Sequence, residues 1–467
     1  MSPLWSFKAF MAGTGAEGAE SAAAPINGIS IDTRSLQPGD AYFAIQGDVH
    51  DGHKFVPQAF EKGASIAVVS KPCEGEGPKA LVPDVLAAMG SLAAAARARS
   101  KARIAAVTGS VGKTSSKQAL QLALGASGQV HVSDKSYNNH WGVPLSLARL
   151  PQEAEFAVFE IGMNHPGEIT PLVKLVRPHA ALITIVAPVH IGFFKSLDEI
   201  AAAKAEIFDG LEADGTAVLN RDNDYFDYLS AQAKAGGAGR IISFGAHEAA
   251  DMRLNMLAQH DGYSCVSARL LGEETLYKLG APGRHMVLNS LGVLGVVEAL
   301  GADLALAALA LAGMQPEAGR GGRSILGLRG GTAVLIDESY NANPASMRAA
   351  LSLLAAARPG AGGRRIAVLG DMLELGDAAE RLHAELADEL GGIDKLFACG
   401  PHMAALWAKV PAGARGIYAE NSSQLADALC ESVASGDVVM IKGSLGSRMG
   451  LLAEALKARY PAPEPRQ

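Results

Sequence analysis

An apolar run at residues 103–107 leads straight into Thr108-Gly109-Ser110-Val111-Gly112-Lys113-Thr114-Ser115, and a helical pattern starts at Lys113. A buried strand that turns on glycines into a helix aims backbone N–H groups and a helix N-terminus at one point, which makes a cradle for phosphate. Lys113 would neutralise the β and γ oxygens there, and the Thr114 hydroxyl would hold Mg2+. The same unit commits its surroundings to a layered α/β arrangement. Apolar runs at 156–161 and 181–186 alternate with helical stretches such as 197–211, which predicts a mostly parallel sheet covered by helices. Residues 240–280 read as short strands alone, a β-rich insertion or edge sheet.

Two blocks flank this one. Before it, short β-type runs at 29–33, 41–46 and 65–70 end in an alanine-rich helix near 82–99. After it, apolar strands at 333–337, 365–370, 395–399 and 438–441 alternate with helices at 345–357, 378–390 and 422–432, a second doubly wound unit. The run EAGRGG at 317–322 reads as a hinge, and 461–467 as a frayed tail. The expected fold is therefore α/β in three domains, 1–100, 101–322 and 323–467. A length of 467 residues agrees with roughly three domains.

Composition narrows the partners. Apolar residues at 49% against charged residues at 19% suit a large core and exclude general disorder. A net charge of -7 argues against a broad nucleic-acid or anionic-membrane surface. Cys73, Cys265, Cys399 and Cys430 are far apart and form no zinc spacing, which fits a reducing cytoplasm. Lys8 interrupts the first apolar stretch and no basic segment precedes it, so no signal peptide is expected. Residues 291–314 contain Glu298 and Asp303 and predict two packed helices rather than a membrane span.

Polar residues gather where strands end. Glu160 closes the run at 156–161, where ligands bind in doubly wound sheets, and a carboxylate beside a phosphate loop is a natural Mg2+ ligand. His190 closes another strand. Lys204 lies among alanines on the helix that follows, where its amine can be buried and lowered in pKa. In the third block Asp337 ends a strand before Ser339-Tyr340-Asn341-Ala342-Asn343-Pro344. The runs GDMLELG at 370–376 and KGS at 442–444 end two others. Arg320 in the hinge can reach a phosphate from either side.

Taken together, TGSVGKTS (108–115), SYNNHWGVPLSL (136–147), EIGMNHPGEI (160–169), AAAKAEIF (201–208), SYNANPASM (339–347) and GDMLELG (370–376) resemble the Mur ligases. These are ATP-dependent amide-forming enzymes of bacterial cell-wall precursor synthesis, and the resemblance covers nearly the whole chain. It implies a small UDP-sugar-binding α/β domain, a central P-loop ATPase domain and a C-terminal Rossmann-like domain. It also implies ATP, with phosphates held by Gly109, Ser110, Val111, Gly112, Lys113, Thr114 and Ser115, and two Mg2+ ions. Thr114 and Glu160 would hold the first ion; His190 and a carbamylated Lys204 would hold the second. Lys113, Glu160, His190 and Lys204 would form the catalytic group.

By the same resemblance Asn289, Arg320, Asp337, Tyr340 and Asn341 would surround adenine, ribose or phosphate, although Met286 stands where the family usually has an Asn. Ser30, Asp32, Arg34, Asp51, Gly52 and His53 would hold the UDP-sugar. Asn138 and Asn139 would hold the muramoyl-peptide arm. The implied substrates are UDP-N-acetylmuramoyl-tripeptide and D-alanyl-D-alanine, joined through an acyl phosphate by a monomer in the cytoplasm, with no nucleic acid and no membrane insertion. The diaminopimelate-adding relative carries an Asp-Asn-Pro-Arg run that this chain lacks. A folylpolyglutamate synthase would lack the residues before the loop. A P-loop switch protein would need no second α/β unit.

Overall fold

The computed structural model describes every residue except 1–2, 18–23, 48–49, 135, 190, 261 and 464–467. His190 and the end of the tail therefore lie outside the described residues. The strands form three sheets. In the first, β1 (Gly28–Ser30), β2 (Asp40–Phe43), β3 (Ile66–Val69) and β4 (Lys79–Leu81) run parallel in chain order. Helix Val85–Arg99 follows, capped by Asp84, whose Oδ1 accepts from the Ala87 N–H at 2.7 Å. Its small side chains let it pack on two sides, so one apolar core runs from Phe43 and Ile66 through Met89 and Leu92 to Ile104 and Phe159. Arg97 fastens it, donating to the Val176 carbonyl at 2.8 Å and the Arg177 carbonyl at 2.9 Å.

The central sheet contains β5 (Arg103–Thr108), β6 (Val130–Val132), β7 (Phe156–Glu160), β8 (Ala180–Ile183), β9 (Thr216–Asn220), β10 (Arg240–Gly245), β11 (Met252–His260), β12 (Tyr263–Leu270) and β13 (Glu273–Leu279). Their order is β13-β12-β11-β10-β9-β8-β5-β7-β6. β5 is apolar from Ile104 to Val107 because helices cover both its faces. Ile104 and Ala106 enter one core, and Ala105 and Val107 the other. Residues 240–280 are not a separate insertion. β10 pairs parallel with β9 and with β11, and β12 and β13 extend the same sheet as an antiparallel wing. Alternate residues of β12, Val266, Ala268 and Leu270, face the core that helix Arg284–Ala299 completes. The apolar stretch at 291–314 is that helix and Leu304–Ala310. No helix among the described residues is long and apolar enough to cross a membrane.

The third sheet holds β14 (Gly322–Leu328), β15 (Gly331–Glu338), β16 (Arg365–Gly370), β17 (Lys395–Cys399), β18 (Arg415–Ala419) and β19 (Val438–Lys442) in the order β14-β15-β19-β16-β17-β18. β14 is antiparallel to β15 and the other neighbours pair parallel. The carboxyl ends of β15, β19 and β16 therefore open side by side. Asn343 starts helix Pro344–Ala356 with a capping box to Ser346. The segment before β14 is tied to this unit, with Gly321 N–H donating to the Asp337 carbonyl at 2.8 Å and Tyr340 N–H to Gly319 at 3.0 Å.

Candidate active site

The loop after β5 is held from one side by the chain that continues β8. The Thr184 hydroxyl donates to the Val111 carbonyl at 2.6 Å, Ser110 N–H donates to Ile185 at 2.8 Å, and the Ser110 hydroxyl donates to Ala187 at 2.8 Å. Gly109 and Gly112 both take positive φ, 149° and 86°. A Cβ at Gly109 would strike Thr184 Oγ1, and one at Gly112 would strike the Asn289 amide. Asn289 is thus packed on the loop from helix Arg284–Ala299. Lys113 folds back over the turn, its Nζ donating to the Gly109 carbonyl at 2.7 Å. Burial pulls that amine below the usual lysine range, Glu160 opposes the shift and Arg320 adds to it. Ser115 lies half-buried on the first turn.

Glu160 ends β7 directly beside β5, where Val107 is its register partner. It is 1% exposed. Asn138 donates to its Oε1 at 2.8 Å, while Oε2 is buried with no hydrogen-bond partner among the described residues. Thr108 Oγ1 and Ser116 Oγ, on either side of the loop, are also buried without hydrogen-bond partners among the described residues. Buried polar atoms are nearly always satisfied, so this group is suited to receive a ligand. Thr114 is 2% exposed on the same turn. Lys204, also 2% exposed, lies on helix Leu197–Ala205 between Ala203 and Ala205. Desolvation first, and the Lys113 charge second, pull its amine well below the usual range.

The third sheet supplies the facing edge. Arg320 lays its guanidinium 3.9 Å from the Tyr340 ring centroid and donates to Ser136 Oγ of the central unit at 3.3 Å. Asp337 accepts from the Ser339 N–H and hydroxyl at 3.2 and 2.6 Å, with Lys457 Nζ 3.6 Å away. Buried Lys442 bridges Glu338 at 3.3 Å and the Asn341 carbonyl at 3.0 Å. His285, one turn before Asn289, is pushed below the usual histidine range by burial, against the pull of Glu338. Asp371 caps helix Met403–Lys409 through the Met403 N–H at 2.9 Å. The adjoining loop meets the central unit where Gly192 N–H donates to the Glu374 carbonyl at 3.1 Å.

The first-sheet residues form two turns. The Ser30 hydroxyl donates to the Asp32 carbonyl at 3.0 Å, and Arg34 grips the Asp32 carboxylate at 2.7 Å. In the other turn, Ser70 N–H donates to His53 Nε2 at 3.0 Å, so Nδ1 carries the proton and donates to Asp51 Oδ1 at 2.7 Å. Lys71 reaches Asp51 Oδ2 at 2.7 Å, and these two partners hold the carboxyl well below its usual range. Gly52 accepts from the Tyr42 hydroxyl at 3.0 Å. Trp141 lies against Gly47 just before this turn. Asn139 caps the segment entering helix Gly142–Ala148, accepting from Trp141 and Gly142 N–H at 3.2 and 3.0 Å.

The loop at 109–115, Glu160, Asn138, Lys204 and Asn289 thus gather around the ends of β5, β7 and β8, with Arg320 reaching them from the third unit. No hydrogen bond among the described residues links either first-sheet turn to the loop. Lys117 escaped the sequence reading. It is 3% exposed, donates to the Ser133 carbonyl at 2.7 Å and stands 4.0 Å from Glu160 Oε2. Its signal was its place one helical turn after Lys113. A cleft lined by residues including His260, Pro282 and Arg358 shares no residue with this cluster.

Family models for the "Mur ligase family, catalytic domain", the "Mur ligase middle domain" and the "Mur ligase, glutamate ligase domain" match residues 25–100, 107–297 and 324–445. A UDP-N-acetylmuramoyl-tripeptide–D-alanyl-D-alanine ligase of Rickettsia prowazekii is 30% identical over 97% of this chain and 99% of its own length. The ligase of the same name from Escherichia coli is 34% identical over 92% and 94%. A MurF crystal structure from Acinetobacter baumannii superposes with a TM-score of 0.84 at 28% identity, covering 98% of this chain and all of its own. MurF from Thermotoga maritima in complex with ADP gives 0.75 at 25% identity over 92% and 97%. The chain belongs to the Mur ligase family.

Proposed function

We propose that the chain joins D-alanyl-D-alanine to the terminal carboxylate of a UDP-N-acetylmuramoyl-tripeptide, turning ATP into ADP and phosphate in the assembly of the peptidoglycan precursor. The observation that carries this reading is the near full-length likeness to ligases of that name. The site geometry agrees with it: beside the Lys113 loop, a buried Glu160 oxygen has no hydrogen-bond partner among the described residues. The diaminopimelate-adding ligase, at 17% identity and a TM-score of 0.53, shares the fold alone.

Each residue then has a task. The N–H groups of 109–115 and Lys113 hold the ATP phosphates in line with the peptide carboxylate. That carboxylate attacks the γ-phosphorus, forming an acyl phosphate and releasing ADP. The dipeptide amine attacks the acyl carbon and loses a proton, and the tetrahedral intermediate expels phosphate. The Glu160 oxygen without a hydrogen bond among the described residues and the buried Thr114 hydroxyl suit a hard cation, and they would hold one Mg2+. Lys204, whose amine burial pulls well below the usual lysine range, suits addition to CO2 with loss of a proton, and this carbamate would hold a second Mg2+ with His190. When bound, such ions neutralise charge on the phosphate oxygens. Asn138 orients Glu160, and Asn139 shapes the segment facing the peptide arm.

Asn289, Arg320, Asp337, Tyr340 and Asn341 would take the nucleotide, with Arg320 joining the two units that enclose it. Ser30, Asp32, Arg34 and the Asp51-Gly52-His53 turn would take the UDP-sugar. Residues 1–100 would thus serve the UDP-sugar, 101–322 ATP, and 323–467 closure and the incoming amine. The four free cysteines fit a reducing compartment such as the cytoplasm. The test is phosphate release with Mg-ATP, the UDP-tripeptide and the dipeptide, leaving out each in turn. Release that requires all three supports the reading, and release indifferent to the UDP-peptide overturns it.

Gly112→Ala probes the loop more locally. An alanine at a φ of 86° is strained by about 1–2 kcal/mol and its methyl would displace Asn289. ATP affinity is expected to fall about tenfold or more by calorimetric titration, since about 1.4 kcal/mol is a factor of ten.

A further inference from the structure

Helix Ile169–Val176 begins without a side-chain cap of its own. Its cap comes from Glu206, on the short turn Glu206–Gly210 that follows helix Leu197–Ala205. Glu206 Oε1 accepts from Gly167 N–H at 2.6 Å, and Oε2 accepts from Ile169 and Thr170 N–H at 3.0 Å each. The Thr170 hydroxyl adds a bond to Asp209 at 2.6 Å. A carboxylate taking three N–H groups at a helix N-terminus is a strong and directional brace.

The two braced segments are special in what they carry. Glu206 lies two residues after Lys204 on one segment. The other, residues 161–168, directly follows Glu160 and is stiffened by Glu168, which accepts from Asn164 N–H at 2.7 Å. His165 of this loop meets Phe193 at 4.9 Å between ring centroids, and Phe193 follows the segment that bears His190. Through Glu206 and His165 the loop after Glu160 is therefore tied to the helix carrying Lys204 and to the turn Ile191–Phe193.

We infer that Glu206 is a positioning residue: it sets the separation of Glu160 and Lys204, and so the fit of the divalent cations that accompany the nucleotide. The inference rests on the proposed roles of Glu160 and Lys204. Glutamine at 206 keeps the shape but leaves a single acceptor oxygen for three N–H groups and removes the charge that the helix terminus favours. The expected loss is in cation binding, with the UDP-sugar turns untouched.

The experiment compares the full-length wild type with Glu206→Gln and with Asp303→Ala, which removes the cap of helix Leu304–Ala310 elsewhere in the fold. Mg2+-dependent ADP binding is measured without turnover, alongside the KM for the UDP-peptide, thermal denaturation, and the carbamate signal in 13C-bicarbonate. Glu206→Gln is expected to raise the Mg2+ concentration for half-saturation about tenfold or more, as outer partners of metal ligands do. Its carbamate signal should weaken and its KM for the UDP-peptide should hold. Asp303→Ala should lose thermal stability with no Mg2+ shift. A Glu206→Gln protein whose Mg2+ dependence matches wild type, or matches Asp303→Ala, overturns the inference. A wild type without a carbamate signal overturns the Lys204 modification instead, and the Mg2+ shift still decides the role of Glu206.

Discussion

Lys113→Ala is expected to slow ATP-dependent phosphate release by about a thousandfold, the upper end of the effect of removing one preorganised donor from a developing charge. The size follows from where the amine stands. It is anchored over the loop by the Gly109 carbonyl at 2.7 Å, among partly desolvated groups where a charge acts strongly. The same desolvation means the folded chain gains little stability from it. Thermal denaturation should therefore change little while turnover collapses. Steady-state phosphate release and a melting curve on one preparation check both halves. Turnover within about tenfold of wild type, at unchanged stability, would make the lysine structural.

Lys204→Ala should lose at least about a hundredfold in ligation, more than outer partners of metal ligands usually cost, because the carbamate itself would touch the ion. Added bicarbonate should not restore the variant. Wild-type enzyme stripped of CO2 should lose activity and regain it on bicarbonate addition. The sign with pH follows from the lowered amine pKa: the neutral amine is needed for addition to CO2 and a proton is released, so carbamate occupancy falls as pH falls. Unchanged turnover in Lys204→Ala would remove the carbamate from the account.

What the sequence made legible was what is buried on both faces. β5, β16 and β17 coincide with continuous apolar runs because helices cover both sides of their sheets. Half-exposed elements escaped. β18 has no fully buried residue and β14 is an edge strand with one, Leu326, so neither carries a plain apolar run. Helix Phe7–Thr14 is too short for its period to stand out, although Ser6 and Gly15 cap it by the usual chemistry. The wing at β11–β13 was legible as strands but not as part of the central sheet, because pairing partners are not written in local pattern.

The site divides in the same way. Lys113, Thr114, Glu160 and Lys204 stand in short motifs whose residue types carry their chemistry. The groups that hold them do not. Asn138 finds Glu160 across 22 residues and Glu206 finds Ile169 across 37, and a lone Asn or Glu in a loop carries no sign of such a bond.

The central claim is that a peptide carboxylate is activated as an acyl phosphate and then captured by the dipeptide amine. The most direct measurement uses UDP-tripeptide labelled with 18O in its terminal carboxylate, incubated with Mg-ATP and D-alanyl-D-alanine, with mass analysis of both products. One 18O should appear in each phosphate released, in step with a UDP-pentapeptide that has lost one labelled oxygen. Unlabelled phosphate, released without pentapeptide, would mean that water rather than the peptide attacks ATP, and would contradict the account.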